Sequence, residues 1–563
     1  MFIPATIQEL KSFGWQKPDI ILVTGDAYVD SPFIGISIIG KVLMRAGYKV
    51  AIIAQPDPNF GDDIMKFGEP ELFWGVTGGS IDSMVANYTA SKKRRKTDDL
   101  TAGGINNRRP DRAVISYCNL IRKYFKHTRP IVVGGVEASL RRIAHYDYWS
   151  DSIRKSIIFD AKADYLIYGM GEYSVLDLAE RIKSQTSVKD LRGICYISSD
   201  KPKDFIELPS FAKVSKDKNA FQEMFNLFYQ NNDPITARGL AQLQDTRYLI
   251  QNPPAEYLTT SQLDAIYDMQ YERDAHPAFE KQGKVKALDT IINSVTTHRG
   301  CYGECNFCSI AVHQGRTVIW RSQKSIINEV RDMARKPGFK GYIMDVGGPT
   351  ANMYGFECHV KLKNGSCRNK RCLYPEICSH LGVNHSLQIK LLQSLRKIPG
   401  MKKVFVASGI RYDMVLNDEK HGIKYLKEIA EHHVSGQMKI APEHTEDKVL
   451  RLMGKPGKKS LLKFNELFYD ISKSKGKNQF LTYYLVAAHP GCTENDMKQL
   501  KEFASQRLKI NPEQVQIFIP LPSTYSALMY YSEQDPFTGD KIFVEKNIKR
   551  KETQKQIITE RAR

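Results

Sequence analysis

No part of this 563-residue sequence stays apolar for long enough to cross a bilayer. The longest such stretch, around Phe33 to Met44, is broken by Gly35, Ser37, Gly40 and Lys41, whereas a spanning helix needs about 20 consecutive apolar residues. The opening MFIPATIQELKSFG lacks a basic segment followed by an apolar core, so no secretory leader is expected there. Internal repeats and low-complexity tracts are also missing. Acidic excess is absent too: 82 Lys and Arg against 62 Asp and Glu leave a formal charge of +20. These absences point to a cytoplasmic chain without a membrane partner. The positive balance favours polyanionic partners, RNA among them.

What is present is the composition of a folded protein. Hydrophobic residues make up 42% and charged residues 26%, which excludes a disordered chain. At roughly 150 residues per domain the length suggests about four units, or two or three large ones.

Residues 18–57 read as strand, loop, helix, strand, with apolar runs at Ile20–Thr24 and Val50–Ala54. Further short runs follow at Leu72–Val76, Ile131–Val133 and Tyr165–Tyr168, the last two leading into Gly134-Gly135 and Gly169-Met170-Gly171-Glu172. This alternation predicts a Rossmann-like, doubly wound α/β domain over 1–199, with any ligand beyond the carboxyl ends of the strands. Residues 88–112 are polar and basic and read as a long surface loop. Within it Lys92-Lys-Arg-Arg-Lys96, Arg108, Arg109 and Arg112 are available to phosphates and Tyr88 to a base, although a solvated loop is the preferred reading. Residues 200–285 read as a helical connecting region.

A second β/α alternation begins at 286. Candidate strands are Ile292–Thr296, Tyr342–Val346, Val404–Ser408, Gln437–Ile440, Thr482–Val486 and Val515–Ile519. Six strands separated by helical patterns predict a full or partial parallel barrel over 286–535, with its chemistry on the loops after the strands. Residues 536–563 read as a charged helical tail.

The ten cysteines are unevenly placed. Cys118, Cys195 and Cys492 are isolated and read as small buried apolar residues. Cys301, Cys305 and Cys308 form a C-x3-C-x2-C loop directly after the first barrel strand. Clustered thiols in a reducing compartment are metal or redox groups rather than disulfides. Zinc sites normally pair their ligands, and no fourth ligand lies nearby at such spacing. A compact loop bearing three thiolates can instead hold three corners of a [4Fe–4S] cluster, leaving one iron open to a small molecule. Cys358, Cys367, Cys372 and Cys378, spaced C-x8-C-x4-C-x5-C, sit in an insertion at 351–385 after the second strand. Four thiolates suit a second iron–sulfur cluster or a structural zinc, with His359, His380 and His385 as substitute ligands. Iron is preferred because of the neighbouring redox centre.

The cysteine loop, with aromatic Phe307 before the last cysteine, resembles that of the radical S-adenosylmethionine (SAM) superfamily. The resemblance implies that Cys301, Cys305 and Cys308 bind a cluster whose fourth iron takes the amino and carboxylate groups of SAM, and that Phe307 lies near the adenine. Gly347, Gly348 and Thr350 stand where the family has a Gly-Gly-Glu-like turn for the SAM amino group, with Pro349-Thr350 replacing the usual acid. Ser408, Arg411 and Glu443 match polar positions used on the ribose and carboxylate. His489-Pro490-Gly491 and Pro520-Leu-Pro522 follow the fifth and sixth strands in the same manner.

Cobalamin-binding domains often precede such barrels and carry D-x-H-x-x-G after the first strand. Here the frame is Asp30-Ser-Pro32-Phe-Ile-Gly35, with Pro32 in place of the imidazole. An axial protein ligand to cobalt is therefore not expected; binding without one stays open. The TGDAYVDSP, VVGGVEAS, GGPTANMYG, APEH and HPGCTEND segments together resemble the YgiQ-like radical SAM family over nearly the whole chain. That resemblance implies reductive cleavage of SAM to a 5′-deoxyadenosyl radical acting on an unknown substrate, with an electron donor of the reduced flavodoxin or ferredoxin type. The alternatives are a non-enzymatic iron–sulfur redox sensor or electron carrier, and a zinc-containing RNA-binding protein.

Overall fold

The computed structural model describes residues 1–368, 370–513 and 515–560. The chain divides into two compact units, one formed by 1–257 with 265–292 and the other by 258–264 with 293–563.

The first unit is built on a nine-stranded sheet. Its strands are β1 (Ile20–Thr24), β2 (Val50–Ala54), β3 (Phe73–Thr77), β4 (Ile131–Gly134), β5 (Tyr165–Ile167), β6 (Ile194–Ser198), β7 (Ile206–Leu208), β8 (Leu240–Gln244) and β9 (Arg247–Gln251). They run in the order β7-β8-β9-β6-β5-β4-β3-β1-β2. From β2 to β5 all pairings are parallel, with Ile20 of β1 opposite both Val50 and Phe73. Every residue of β1 is buried, as expected for a parallel strand covered on both faces. The helix Gly35–Arg45 turns Ile36, Ile38, Val42 and Leu43 inward. The strand order reverses between β1 and β3, which makes their carboxyl ends the switch point of a doubly wound sheet.

The region expected as a helical connector over 200–285 differs from that reading. Three of the nine strands, β7, β8 and β9, come from it and extend the sheet beyond β6. Their amphipathic composition hid them. In β8, Gln242 and Gln244 are fully buried because their side-chain oxygens accept hydrogen bonds from the backbone N–H groups of Ala144 (3.1 Å) and Ser156 (2.9 Å).

Among the described residues the second unit carries six strand positions paired in parallel, and a separate antiparallel pair of His298–Arg299 with Ile319–Trp320. β10 (Ser294–Thr296) pairs with β12 (Asp345–Gly347), and β11 (Tyr342–Ile343), just upstream of β12, pairs with β13 (Lys403–Val404). A parallel bridge between Ile410 and Ile440 continues to β14 (Gln437–Glu443), which pairs with β15 (Phe480–Ala487) and then β16 (Val515–Ile517). Among the described residues no pairing joins β16 to β10, so this is an open, partial β/α barrel. Its core packs Val295, Val346, Val404, Ile440 and Leu485 against Ile326, Val330, Leu391, Phe464 and Phe468 of the covering helices.

The helix Ile548–Thr559 buries Lys551, Gln554 and Ile558. The Gln554 amide fixes it in place: its oxygen accepts from the Ala488 N–H at 3.0 Å and its nitrogen donates to the Cys492 carbonyl at 3.3 Å. A charged sequence conceals this contact because the helix buries polar groups that are satisfied internally.

Candidate active site

The cysteine loop leaves β10 through a turn that only glycine permits. Gly300 has φ of +81°, and a Cβ there would lie 2.1 Å from the Thr317 carbonyl oxygen. Asn306, between the second and third cysteines, ties the loop down. Its N–H donates to Met453 O (2.9 Å), its side chain donates to Leu452 O (2.7 Å), and its carbonyl accepts from Ser526 N–H (2.9 Å). Cys301, Cys305 and Cys308 are each half-buried. The Gly303 N–H donates to Cys301 Sγ at 3.3 Å, and a Cβ on Gly303 would sit 3.2 Å from Cys301 Sγ and 3.6 Å from Cys305 Sγ. Burial, then the charge of Cys305, pushes the Cys301 thiol up. Cys308 is pushed up by burial and by both other thiols. Cys301 and Cys308 therefore each sense the neighbouring thiols.

The residues expected around SAM assemble at the same strand ends. Gly348 lies against His298: a Cβ would meet His298 Nε2 at 2.6 Å and its carbonyl oxygen at 2.8 Å. Gly347 lies beside Ser408, with the Ser408 side chain 3.4 Å from where its Cβ would be. Asp345 fixes that neighbour, accepting from the Ser408 hydroxyl and from the N–H groups of Ala407 (2.8 Å) and Ser408 (3.0 Å). Thr350 Oγ1 is 3.6 Å from Cys301 Sγ.

Arg411 forms a bidentate pair with Asp413, both bonds 2.8 Å, and points its remaining nitrogen at Cys305 Sγ, 3.7 Å away. Glu443 ends β14 with φ of +68°, a strained conformation for this residue. Burial raises its carboxyl, opposed by the charges of Lys455 and Arg411. Phe307 meets His489 edge-on at 6.3 Å, and His489 is buried, held by Ser526 Oγ at 2.7 Å and pushed down to about 3 by burial.

Sequence reasoning missed two residues here. Met353 Sδ is 3.8 Å from Cys301 Sγ. Asn352 accepts from the Arg411 N–H (2.8 Å) and donates to the Arg411 carbonyl (3.0 Å). Both lie in the GGPTANMYG segment, but only tertiary pairing gives them partners.

The second cysteine set is less gathered. Cys358 is buried and Cys372 half-buried, both beside Tyr302. Cys378 donates its N–H to Cys372 O at 2.8 Å, and its Sγ is 3.9 Å from His380 Nδ1. Cys367 is exposed. Buried Lys361 reaches Cys372 Sγ (3.6 Å), Glu304 (3.7 Å) and the Arg316 carbonyl. His359 is exposed, and His385 is bound to Asp418 and Asn352, 2.8 and 3.2 Å away. Among the described residues no three His, Cys, Asp or Glu side chains converge closely enough to hold a single metal ion. Isolated Cys118, Cys195 and Cys492 are buried.

At the switch point of the first unit the loops after β1 and β3 close on a buried arginine. Arg109, fully buried, donates to Asp26 (2.7 Å), Asp98 (3.0 Å) and the Gly78 carbonyl (2.7 Å). A Cβ on Gly79 would lie 2.1 Å from Asp26 Oδ1 and 2.5 Å from Arg109 Nη1, and one on Gly25 would lie 2.3 Å from Gly78 O. The residue thus comes from the expected surface loop and occupies the place where doubly wound sheets take ligands. Asp30 is occupied as well, accepting from Ser37 Oγ (2.5 Å) and the Glu272 N–H (2.9 Å) and pairing with Lys41 (3.0 Å). No helix among the described residues is long and apolar enough to cross a membrane.

The model of the radical SAM N-terminal family matches residues 2–294, and that of the radical SAM superfamily matches 295–504. The UPF0313 protein FN0734 of Fusobacterium nucleatum is 58% identical over 561 residues, covering 100% of this chain and 99% of that protein. A UPF0313 protein of Thermotoga maritima is 47% identical, covering 99% and 98%. Among solved structures, the radical SAM methyltransferase TsrM of Kitasatospora setae, with cobalamin and a [4Fe–4S] cluster bound, is similar with a TM-score of 0.51 and 12% identity over 91% of this chain and 78% of that one. The cobalamin-dependent SAM radical enzyme OxsB gives a TM-score of 0.50 and 13% identity over 92% of this chain and 56% of that one. These two likenesses concern the fold. Two family models that together span residues 2–504, and relatives of such identity over the full length, place this chain in the UPF0313 family of the radical SAM superfamily.

Proposed function

We propose that the protein is an enzyme whose Cys301, Cys305 and Cys308 hold a [4Fe–4S] cluster that binds SAM at its open iron. The observation that carries this reading is the half-buried thiol triad with Gly303 N–H and Arg411 directed at its sulfurs. A single zinc draws its thiolates to about 2.3 Å from one point. The corners of a four-iron cluster lie further apart, and three thiols on one short loop can supply three of them. When bound, the cluster would supply one electron to SAM, whose cleavage gives methionine and a 5′-deoxyadenosyl radical that takes a hydrogen atom from the substrate.

The chain's own residues orient and enclose. Gly348 offers backbone at a position where any side chain would collide with His298, and Gly347 offers backbone beside Ser408. Ser408, fixed by Asp345, Glu443 and Thr350 present polar groups to the ribose, carboxylate and amino parts of SAM. Arg411 places positive charge 3.7 Å from Cys305 Sγ. Phe307, edge-on to His489, supplies an apolar wall for the adenine. The electron would come from a reduced flavodoxin or ferredoxin, and the substrate is an unknown molecule in the cytoplasm.

Cobalamin, present in both solved structures, forms no part of this reading. Pro32 offers cobalt no ligand, and Arg109 with its carboxylates fills the switch point.

The test is anaerobic reconstitution followed by assay of 5′-deoxyadenosine with dithionite and SAM. Release by the wild type, and none by Cys301/Cys305/Cys308→Ala, supports the enzyme. Full iron and sulfide content without any release supports the redox carrier instead. Unchanged iron in the triple variant overturns the site.

A further inference from the structure

The barrel strands of the second unit pair in parallel, and parallel strands are normally covered on both faces. Here only one face is covered. Ile343, Val404, Met438, Ile440, Leu481 and Leu485 turn outward into the core beneath the helices. Their neighbours along each strand point the opposite way, as a period of two requires, and many of these are exposed. Tyr342 is 38% exposed, Met344 41% and Phe480 53%; Lys403 and Lys439 are exposed as well. Pairing shows that they share a face. Lys439 stands opposite Thr482 and Gln437 opposite Phe480, and the Thr482 hydroxyl donates to Gln437 Oε1 at 3.4 Å. Tyr342 stands opposite Lys403, and its ring stacks on Phe405 at 6.4 Å with the Lys402 ammonium 5.9 Å away. A closed barrel fills this face with layers of its own side chains, whereas the open barrel leaves it unfilled. Exposed Tyr, Met and Phe gathered on one face mark a binding groove rather than a face left to water.

The unpaired charge on this face has one sign. Among the described residues no side-chain hydrogen bond or ion pair is found for Lys403 or Lys439. The acids of the paired strands are Asp345, taken up by Ser408 and two backbone N–H groups, and Glu443, buried at the SAM end. The face is continuous with that end: Gly347 closes β12 and Glu443 closes β14. Lys439 precedes Glu443 by four residues, about 13 Å along an extended strand.

We propose that this inner face holds the substrate and that the substrate is an organic acid with a planar apolar body. Its anionic group pairs with Lys439, Lys403 adds to the positive field, and its body lies along Met344, Phe405 and Phe480. The carbon that gives up hydrogen then lies about 13 Å from the acid group, near Glu443. This inference rests on the SAM reading of the strand ends.

The test uses two probes of similar shape on the full-length, reconstituted protein: anilinonaphthalene sulfonate, which is anionic, and phenylnaphthylamine, which is neutral. Fluorescence titration should show the sulfonate binding about tenfold tighter. Lys439→Gln should weaken the sulfonate about tenfold and leave the neutral probe unchanged, and Lys403→Gln/Lys439→Gln should weaken it further. Both lysines are exposed, so these variants should melt like the wild type by circular dichroism. Lys439→Arg, which keeps the charge, should keep the preference for the sulfonate. At saturation the sulfonate should suppress the 5′-deoxyadenosine release elicited by cell extract, and more extract should relieve the suppression. Equal affinity of the wild type for both probes overturns the inference and leaves the SAM reading standing. So does unchanged sulfonate affinity in both lysine variants, or bound sulfonate without suppression. No release from the wild type with extract overturns the SAM reading, and this inference falls with it whatever the probes do.

Discussion

Asn352 Nδ2 lies 3.2 Å from His385 Nε2 across the base of the cysteine-rich insertion, whose two ends these residues mark. The His385 ring stacks on Tyr425 at 4.6 Å and is anchored by Asp418 at 2.8 Å. Asn352 grips the backbone of Arg411 on both sides. One buried amide thus closes the insertion and holds the arginine that faces Cys305. Asn352→Ala should destabilise the second unit by about 3 kcal/mol, since it leaves an N–H, a carbonyl and an imidazole nitrogen without partners. Urea denaturation measures the loss, and 5′-deoxyadenosine release should fall with it. Stability unchanged within error would show that water replaces the amide.

Gly348→Ala should abolish SAM-dependent product while costing about 1–3 kcal/mol of stability. The new methyl meets the His298 carbonyl as well as its ring, and the backbone oxygen cannot rotate away. Iron content should stay at the wild-type level, because the thiol loop is untouched. Wild-type turnover in this variant would remove Gly348 from the SAM pocket.

Arg109→Ala should lower stability by about 3–5 kcal/mol, the usual consequence of leaving buried carboxylates unpaired, here those of Asp26 and Asp98. Arg109→Lys should rescue little of it, because one ammonium cannot reproduce a fork that reaches two carboxylates and a carbonyl. Thermal melts compare the three proteins. Protein purified from cobalamin-fed cells should show no nitrogen-coordinated cobalt, because Pro32 stands where an axial imidazole would, and an EPR signal of such cobalt would contradict this.

Acid stability offers a fourth check. Burial works against the charged form of Glu428, but hydrogen bonds from His433 (3.3 Å) and Gln393 (3.0 Å) and the charge of Arg396 outweigh it and hold the carboxyl at about 2. A depressed carboxyl stabilises the fold above the ordinary glutamate range and loses that contribution as pH falls toward its folded value. Glu428→Gln should therefore be less stable than wild type by about 2 kcal/mol at neutral pH. The gap should close between about pH 4.5 and 2. Urea titrations across that range test it; a gap independent of pH would show that the charge of Glu428 does not matter.

The second cysteine set is expected to take iron. Cys301/Cys305/Cys308→Ala should retain about four irons per chain and a reducible cluster signal. About one zinc and no colour would assign a structural zinc instead. A folded variant with neither metal would show that Cys358, Cys367, Cys372 and Cys378 form no second site.

The C-x3-C-x2-C loop, β1 and β2 and the six strands of the second unit were legible because their signals are local: thiol spacing, apolar runs and the turns that end them. The strand-end positions Gly347, Gly348, Ser408, Arg411 and Glu443 could be read for the same reason, since each follows a recognisable strand. Other features depend on partners far along the chain. β8 carries Gln242 and Gln244 inward, and nothing near them in sequence announces Ala144 and Ser156 as their partners. The terminal helix packs through Gln554, whose partners Ala488 and Cys492 are more than sixty residues away. Arg109 reads as one more cation of a basic loop until Asp26 and Asp98 enclose it. Composition determined that this chain folds, and motif spacing which residues gather thiols at a strand end. Tertiary structure alone decided which polar groups are buried, because a polar side chain goes inside only when distant groups satisfy it, and local sequence carries no record of those groups.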